Sequence, residues 1–121
     1  MLVGKKGEKM IDSYEFGEIV INGRRYSSDV IVYPDRVKSD WWRKEGHQLC
    51  IDDLGDVLER NPDVIVVGTG DPGLMEILPE TEEYIKSRKI KLIVQTTKQA
   101  CRTYNQLSFS QRVIALLHLT Y

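Results

Sequence analysis

The stretch from Asp63 to Gly73, Asp-Val-Ile-Val-Val-Gly-Thr-Gly-Asp-Pro-Gly, constrains this chain more than any other. Val64 to Val67 form an unbroken β-branched run between Pro62 and Gly68. Such a run is too short and too uniform for an amphipathic helix and suits a strand buried on both faces. A strand of that kind lies inside a sheet covered on both sides, so other segments must supply two covering layers. Gly68-Thr69-Gly70 follows at its carboxyl end, and a helix-like segment follows that. The turn is therefore able to offer backbone N–H groups to an anion or polar ligand.

With 121 residues, the chain suffices for one domain that buries roughly two thirds of its unfolded surface. The expected division is a flexible arm over 1–12 and a single α/β domain over 13–121. Lys+Arg 17 against Asp+Glu 18 leaves no global basic field, so neither nucleic acid nor an acidic membrane is indicated as a partner. Cys50 and Cys101, in a chain whose first ten residues carry lysines but no apolar core of a signal peptide, read as reduced thiols. The longest apolar stretch, Val113 to Leu117, is far short of the ~20 residues a spanning helix needs. A cytoplasmic location is the expectation.

Along the chain, Asn22-Gly23 separates Phe16–Ile21 from Arg24–Tyr33, which predicts a β-hairpin, since both turn positions favour φ > 0. Pro34-Asp35-Arg36 predicts a turn, and Val37–Trp42 a third, partly exposed strand of a small meander. Cys50 to Arg60 reads as a short helix with Asp52 or Asp53 as its cap. After strand 63–67 and its glycine turn come a helical turn from about Gly73 to Leu78 and a helix opened by Pro79, with Tyr84 and Ile85 inward. Ile90–Gln95 reads as a second central strand, making a right-handed βαβ unit in which 63–67 and 90–95 are parallel. Thr96 or Thr97 caps a helix running to about Leu107. Arg112–Leu119 is an interior strand, expected antiparallel next to 63–67.

Gly68-Thr69-Gly70 lacks the Gly-Lys-Ser/Thr ending of a phosphate loop and the third glycine of a dinucleotide fingerprint. It reads either as a ligand contact or as glycines that let the chain turn off a strand. With Thr96, Thr97 and Arg112 it composes the expected polar pocket, because parallel strands bring their carboxyl ends to one edge. An antiparallel last strand would start at that edge, with Arg112 near it and His118 at the far one. Cys101, Tyr104 and Asn105 share a helix side; Cys101 and Tyr104 join the candidate ligand-binding set, although a buried, unreactive cysteine is the simpler reading. Trp41, Trp42 and Arg43 form the candidate protein contact, since adjacent strand residues point to opposite faces and one indole would be left outside beside an arginine. No cluster has metal-ligand spacing, and neither a catalytic set nor a cofactor is indicated.

Four segments in this order carry a resemblance: Asp29–Tyr33, Val66–Gly70, Thr97–Asn105, and Arg112–Ala115 with terminal His118-Leu119-Thr120-Tyr121. From Ser13 onward the chain resembles the small domain of unknown function shared by archaeal and bacterial hypothetical proteins, the adipogenesis-associated domain-containing protein and mitochondrial complex I assembly factor 3. The resemblance implies a three-layer fold with a central mixed five-stranded sheet, an antiparallel last strand, and a small antiparallel β element. It implies no known enzymatic activity, since the family has no established reaction, and assembly through protein contacts in its mitochondrial member. Members often end His-x-Thr-Cys; Tyr121 stands here in place of that cysteine. The functional expectation is a non-enzymatic interaction or assembly-type domain with an unidentified protein partner, against a small-ligand protein or enzyme using the crevice at Gly68–Gly70.

Overall fold

The computed structural model describes residues 9–121. In chain order it contains β1 (Ile11–Glu15), β2 (Glu18–Ile21), β3 (Arg24–Tyr26), β4 (Val30–Val32), β5 (Val37–Lys38), β6 (Gln48–Leu49), β7 (Val64–Gly68), β8 (Glu76–Ile77), α1 (Pro79–Ser87), β9 (Lys91–Gln95), α2 (Thr97–Leu107) and β10 (Val113–Leu117). Most of the proposed arm, residues 1–8, lies outside the described residues. Its last four positions do not, and of these Ile11 and Asp12 belong to β1, with the Ile11 side chain buried. Pairing of β1 with β2 shifts register between Ile11 and Ser13. Such a bulge breaks the period-two alternation by which a strand is recognised.

The Asn-Gly hairpin forms as expected, joining β2 and β3, with Asn22 at φ 49 and Gly23 at φ 80. Its second arm is shorter than predicted. β3 stops at Tyr26, and β4 joins a different sheet. The small antiparallel sheet is thus β1-β2-β3. The expected third strand over 37–42 contracts to β5, which pairs with β4 at one edge of the larger sheet.

The larger sheet has the order β5-β4-β10-β7-β9 and is mixed. β7 and β9 are parallel, as the βαβ argument requires. β10 inserts between β4 and β7, parallel to β7 and antiparallel to β4. The expectation that it runs antiparallel next to 63–67 is therefore corrected. An 11-residue helix is about 16 Å long, close to the length of a five-residue strand. So α2 returns the chain from the carboxyl end of β9 to the amino edge, and the strand that follows must run in the same sense as β7. β9 is an edge strand with Val94 exposed, not a second central one.

Alternation along the interior strands divides the apolar residues between two layers. Val64, Val66, Val113, Ala115 and Leu117 pack with Ala100, Cys101 and Tyr104 of α2 and with Ile11, Ile19 and Ile21 of the small sheet. Ile65, Val67, Ile114 and Leu116 pack on the opposite face with Trp41, Leu49, Leu54, Val57 and Ile85. The predicted 50–60 helix is two short 3-10 turns, Ile51–Leu54 and Leu58–Arg60, interrupted by Gly55. Asp53 holds the first by accepting the Cys50 N–H at 3.0 Å. No helical turn forms over 73–78. Gly73 takes φ +114, and β8 pairs in parallel with β6. α1 begins at Pro79 as expected, with Ile85 buried, but Tyr84 faces outward beneath Arg88.

Candidate functional site at the carboxyl edge of the sheet

Strands β7, β9 and β10 end together, and the glycine turn emerges there. Its backbone donors are spent within the chain. Thr69 N–H donates to Gln95 O at 2.9 Å, Asp71 N–H to Thr120 O at 2.8 Å, and Leu74 N–H to Tyr121 O at 2.6 Å. Gly70 N–H donates to Thr97 Oγ1 at 2.8 Å, and that hydroxyl donates in turn to His118 O at 2.6 Å. Residues 118–121 therefore lie in the place where the sequence suggested a ligand crevice. The glycines permit that contact. A Cβ on Gly70, at φ +105, would collide with the backbone of Thr120 and Tyr121, and one on Gly68 would sit 2.8 Å from Thr97 Oγ1. The absence of a Cβ at Gly68 and Gly70 is thus what lets backbone approach the turn closely.

Helix starts do not converge here as expected. Only α2 begins at this edge, with Thr96 as its N-cap residue, though the Thr96 side chain makes no capping bond. α1 begins at Pro79, beyond β8. Because β10 is parallel to β7, Arg112 lies at the opposite, amino edge, where its N–H donates to Asp63 Oδ2 at 2.8 Å. Its neighbours there, around a cleft of about 180 Å³, are Pro34, Asp35, Arg60, Pro62 and Ile114. The structure thus removes Arg112 from the glycine turn and brings His118 to it, reversing both placements.

His118 enters a network that sequence reasoning missed. Its Nδ1 lies 2.7 Å from Asp29 Oδ2, and Arg43 Nη2 lies 2.8 Å from the same oxygen. Asp29 Oδ1 accepts the Leu119 N–H at 2.7 Å. An ionised carboxylate only accepts, which assigns the proton to Nδ1 of the imidazole. Burial pushes the Asp29 carboxyl upward, but hydrogen bonds from His118, Leu119 and Arg43 outweigh it and hold the group below its ordinary value. His118 Nε2 and Arg43 Nη1 are buried and meet no partner among the described residues. The ring of His47 stands edge-on to His118 at 5.7 Å. An Asp–His pair is the orienting half of a general base, but this imidazole is buried, with His118 only 5% exposed. The geometry anchors the 118–121 segment.

Arg43 is accordingly not the surface residue expected of a contact site. Its side chain is 4% exposed, and its guanidinium lies over Trp41, 4.7 Å from the ring centroid. Trp41 is buried, with its indole N–H donating to Asp53 O at 3.0 Å. Trp42 is 80% exposed, so the expectation that one indole is left outside is met. Phe16, Leu74 and Tyr121 are exposed as well, with the Phe16 and Tyr121 rings edge-to-face at 4.9 Å.

Cys101 and Tyr104 are buried on the α2 side of the sheet, away from the glycine turn's backbone donors. Burial pushes the Cys101 thiol up to about 12. Asn105 is tied to the β1 backbone, its Oδ1 accepting Ile11 N–H at 2.9 Å and its Nδ2 donating to Ile11 O at 2.8 Å. Cys50, on the other side, lies 3.0 Å from Asp53 Oδ2, so the two thiols do not meet. No group of three or more His, Cys, Asp or Glu side chains among the described residues could hold a metal ion. No helix among them is long and apolar enough to cross a membrane.

Similarity to known proteins agrees with this architecture. The chain is 33% identical over 106 residues to the Homo sapiens NADH dehydrogenase [ubiquinone] 1 alpha subcomplex assembly factor 3, covering 85% of this chain and 56% of that protein. It is 30% identical over 122 residues to the Drosophila melanogaster protein of the same name, covering 93% and 61%. The chain spans little more than half the length of these curated relatives. A conserved hypothetical protein from Pyrococcus horikoshii OT3 superposes with a TM-score of 0.79 at 27% identity, covering 92% of this chain and 98% of that one. The model of the family described as Protein of unknown function (DUF498/DUF598) matches residues 11–118, and this chain belongs to that family.

Proposed function

We propose that this protein is a non-enzymatic, assembly-type domain that works by docking another protein. The observation that carries this reading is the filled glycine turn. Its donors are bonded to Gln95, Thr97, Thr120 and Tyr121, so a substrate there would have to displace the chain's own residues. The same end of the molecule exposes Phe16, Leu74 and Tyr121 beside one another. Trp42 is exposed as well, and it directly precedes Arg43, whose side chain reaches Asp29 and His118 at this edge. Exposed aromatic side chains clustered in this way are the composition of a protein-contact centre.

The names of the curated relatives support the same role, because they describe assembly factors of NADH dehydrogenase. What passes to this chain is assembly through protein contact, with a partner that presents a complementary apolar surface. A reducing, cytoplasmic compartment belongs to the same proposal. Affinity purification of wild type, Trp42→Ser and Phe16→Ser from the native source tests it. The expected result is one stoichiometric protein with wild type that is lost from both variants while their folds persist. Wild type purified alone, with a small metabolite raising its melting temperature, would reverse the reading.

A further inference from the structure

The groove between β1 and α2 has a volume of about 290 Å³ and is lined by Ile11, Asp12, Ser13, Tyr14, Lys98, Cys101, Arg102 and Asn105. Most of its polar groups are already spoken for. The Asn105 amide is held in two hydrogen bonds by the Ile11 backbone, and Tyr14 Oη donates to Leu119 O at 2.9 Å. Asp12 Oδ2 accepts the Gly23 N–H at 2.7 Å, so the acid on the rim is held toward the hairpin turn. Lys98 and Arg102 remain, one helical turn apart on the same face of α2.

Neither cation has an acidic, aromatic or hydrogen-bonding partner among the described residues. The contrast with the other arginines is informative. Apart from Arg112, every other described arginine lies against an acid or an aromatic ring. Two like charges at i and i+4 destabilise a helix slightly, and an anion between them reverses the sign. α2 carries no acidic residue of its own to fill that role. Beneath the cations, Ile11 and the neutral Cys101 give the groove an apolar, polarizable floor.

We propose that this groove binds a small anionic ligand, its carboxylate or phosphate head held by Lys98 and Arg102 and its apolar body lying over Ile11 and Cys101. The volume suits a metabolite-sized molecule at the small end of known binding sites. The proposal does not depend on the docking surface at the carboxyl edge, which involves none of these side chains.

Titration of the full chain with inorganic phosphate and with succinate, at ionic strength matched by chloride, tests it by amide chemical shifts. Saturable shifts at Ser13, Lys98, Cys101 and Arg102 with either probe are expected, and the probe that binds more tightly identifies the head group. The Lys98→Gln/Arg102→Gln double variant should weaken binding by about tenfold or more. Arg112→Gln, in the cleft at the amino edge, should leave the affinity unchanged. A bound probe should also slow labelling of Cys101 by a thiol reagent. Shifts that do not saturate, or an equal loss in Arg112→Gln, would overturn the assignment.

Discussion

Asp29 and His118, far apart in sequence, lie 2.7 Å apart because β4 and β10 pair antiparallel with Val30 opposite Leu117. The carboxylate also receives Arg43 and the Leu119 N–H, so a single side chain joins three distant segments. Asp29→Asn removes the charge that compensates a guanidinium whose side chain is 4% exposed. A loss of about 3 kcal/mol is expected in urea unfolding, the range for breaking one member of a buried pair. Because the folded-state pKa of Asp29 is lowered, its contribution is present above the unfolded value and fades as pH falls through the folded one. Wild type should therefore lose stability on acidification more steeply than Asp29→Asn.

Gly70 allows the chain's last residues to lie against the turn. An alanine there must adopt φ +105 and meets the Thr120 and Tyr121 backbone. Gly70→Ala should cost about 2 kcal/mol or more, from backbone strain and displacement together. Hydrogen exchange gives the diagnostic readout. The Asp71 and Leu74 amides, which donate to Thr120 and Tyr121, should exchange faster, while β7 amides stay protected.

Cys101 is a core residue whose thiol stays neutral to about pH 12. Native protein should react slowly with thiol reagents at neutral pH, and Cys101→Ala should cost about 1 kcal/mol through lost packing. The raised pKa also sets a sign at high pH. Its stabilising effect is complete below the unfolded value and is lost as pH rises toward about 12. Alkaline unfolding should accordingly be shallower in Cys101→Ala.

Local chemistry made much of this fold legible. The β-branched run at Val64–Val67, the Asn22-Gly23 turn, and the helix opening after Thr96 each carry a short-range cause, and each forms where expected. The direction of β10 is not written in its own residues; it follows from the length of α2 set against the strands it crosses, and that direction exchanges the expected positions of Arg112 and His118. Cys50–Arg60 and Gly73–Leu78 have apolar residues at helical spacing, but Gly55, Gly73 and the β6–β8 pairing divert them. The Asp29–Arg43–His118 network left only a faint trace, a polar residue flanking each of two apolar runs. Once β4 and β10 are placed antiparallel, that trace puts Asp29 and His118 side by side.

The central claim is that the exposed side chains at the carboxyl edge dock a partner protein. Hydrogen exchange, compared between the isolated chain and the complex recovered from the native source, tests it most directly. Protection on binding is predicted at Gly17, Trp42 and Leu74, together with a blue shift and loss of quenching of the Trp42 emission; the buried Trp41 should change little. Unchanged exchange at those three amides, with protection confined to β9 or α1, would contradict the account.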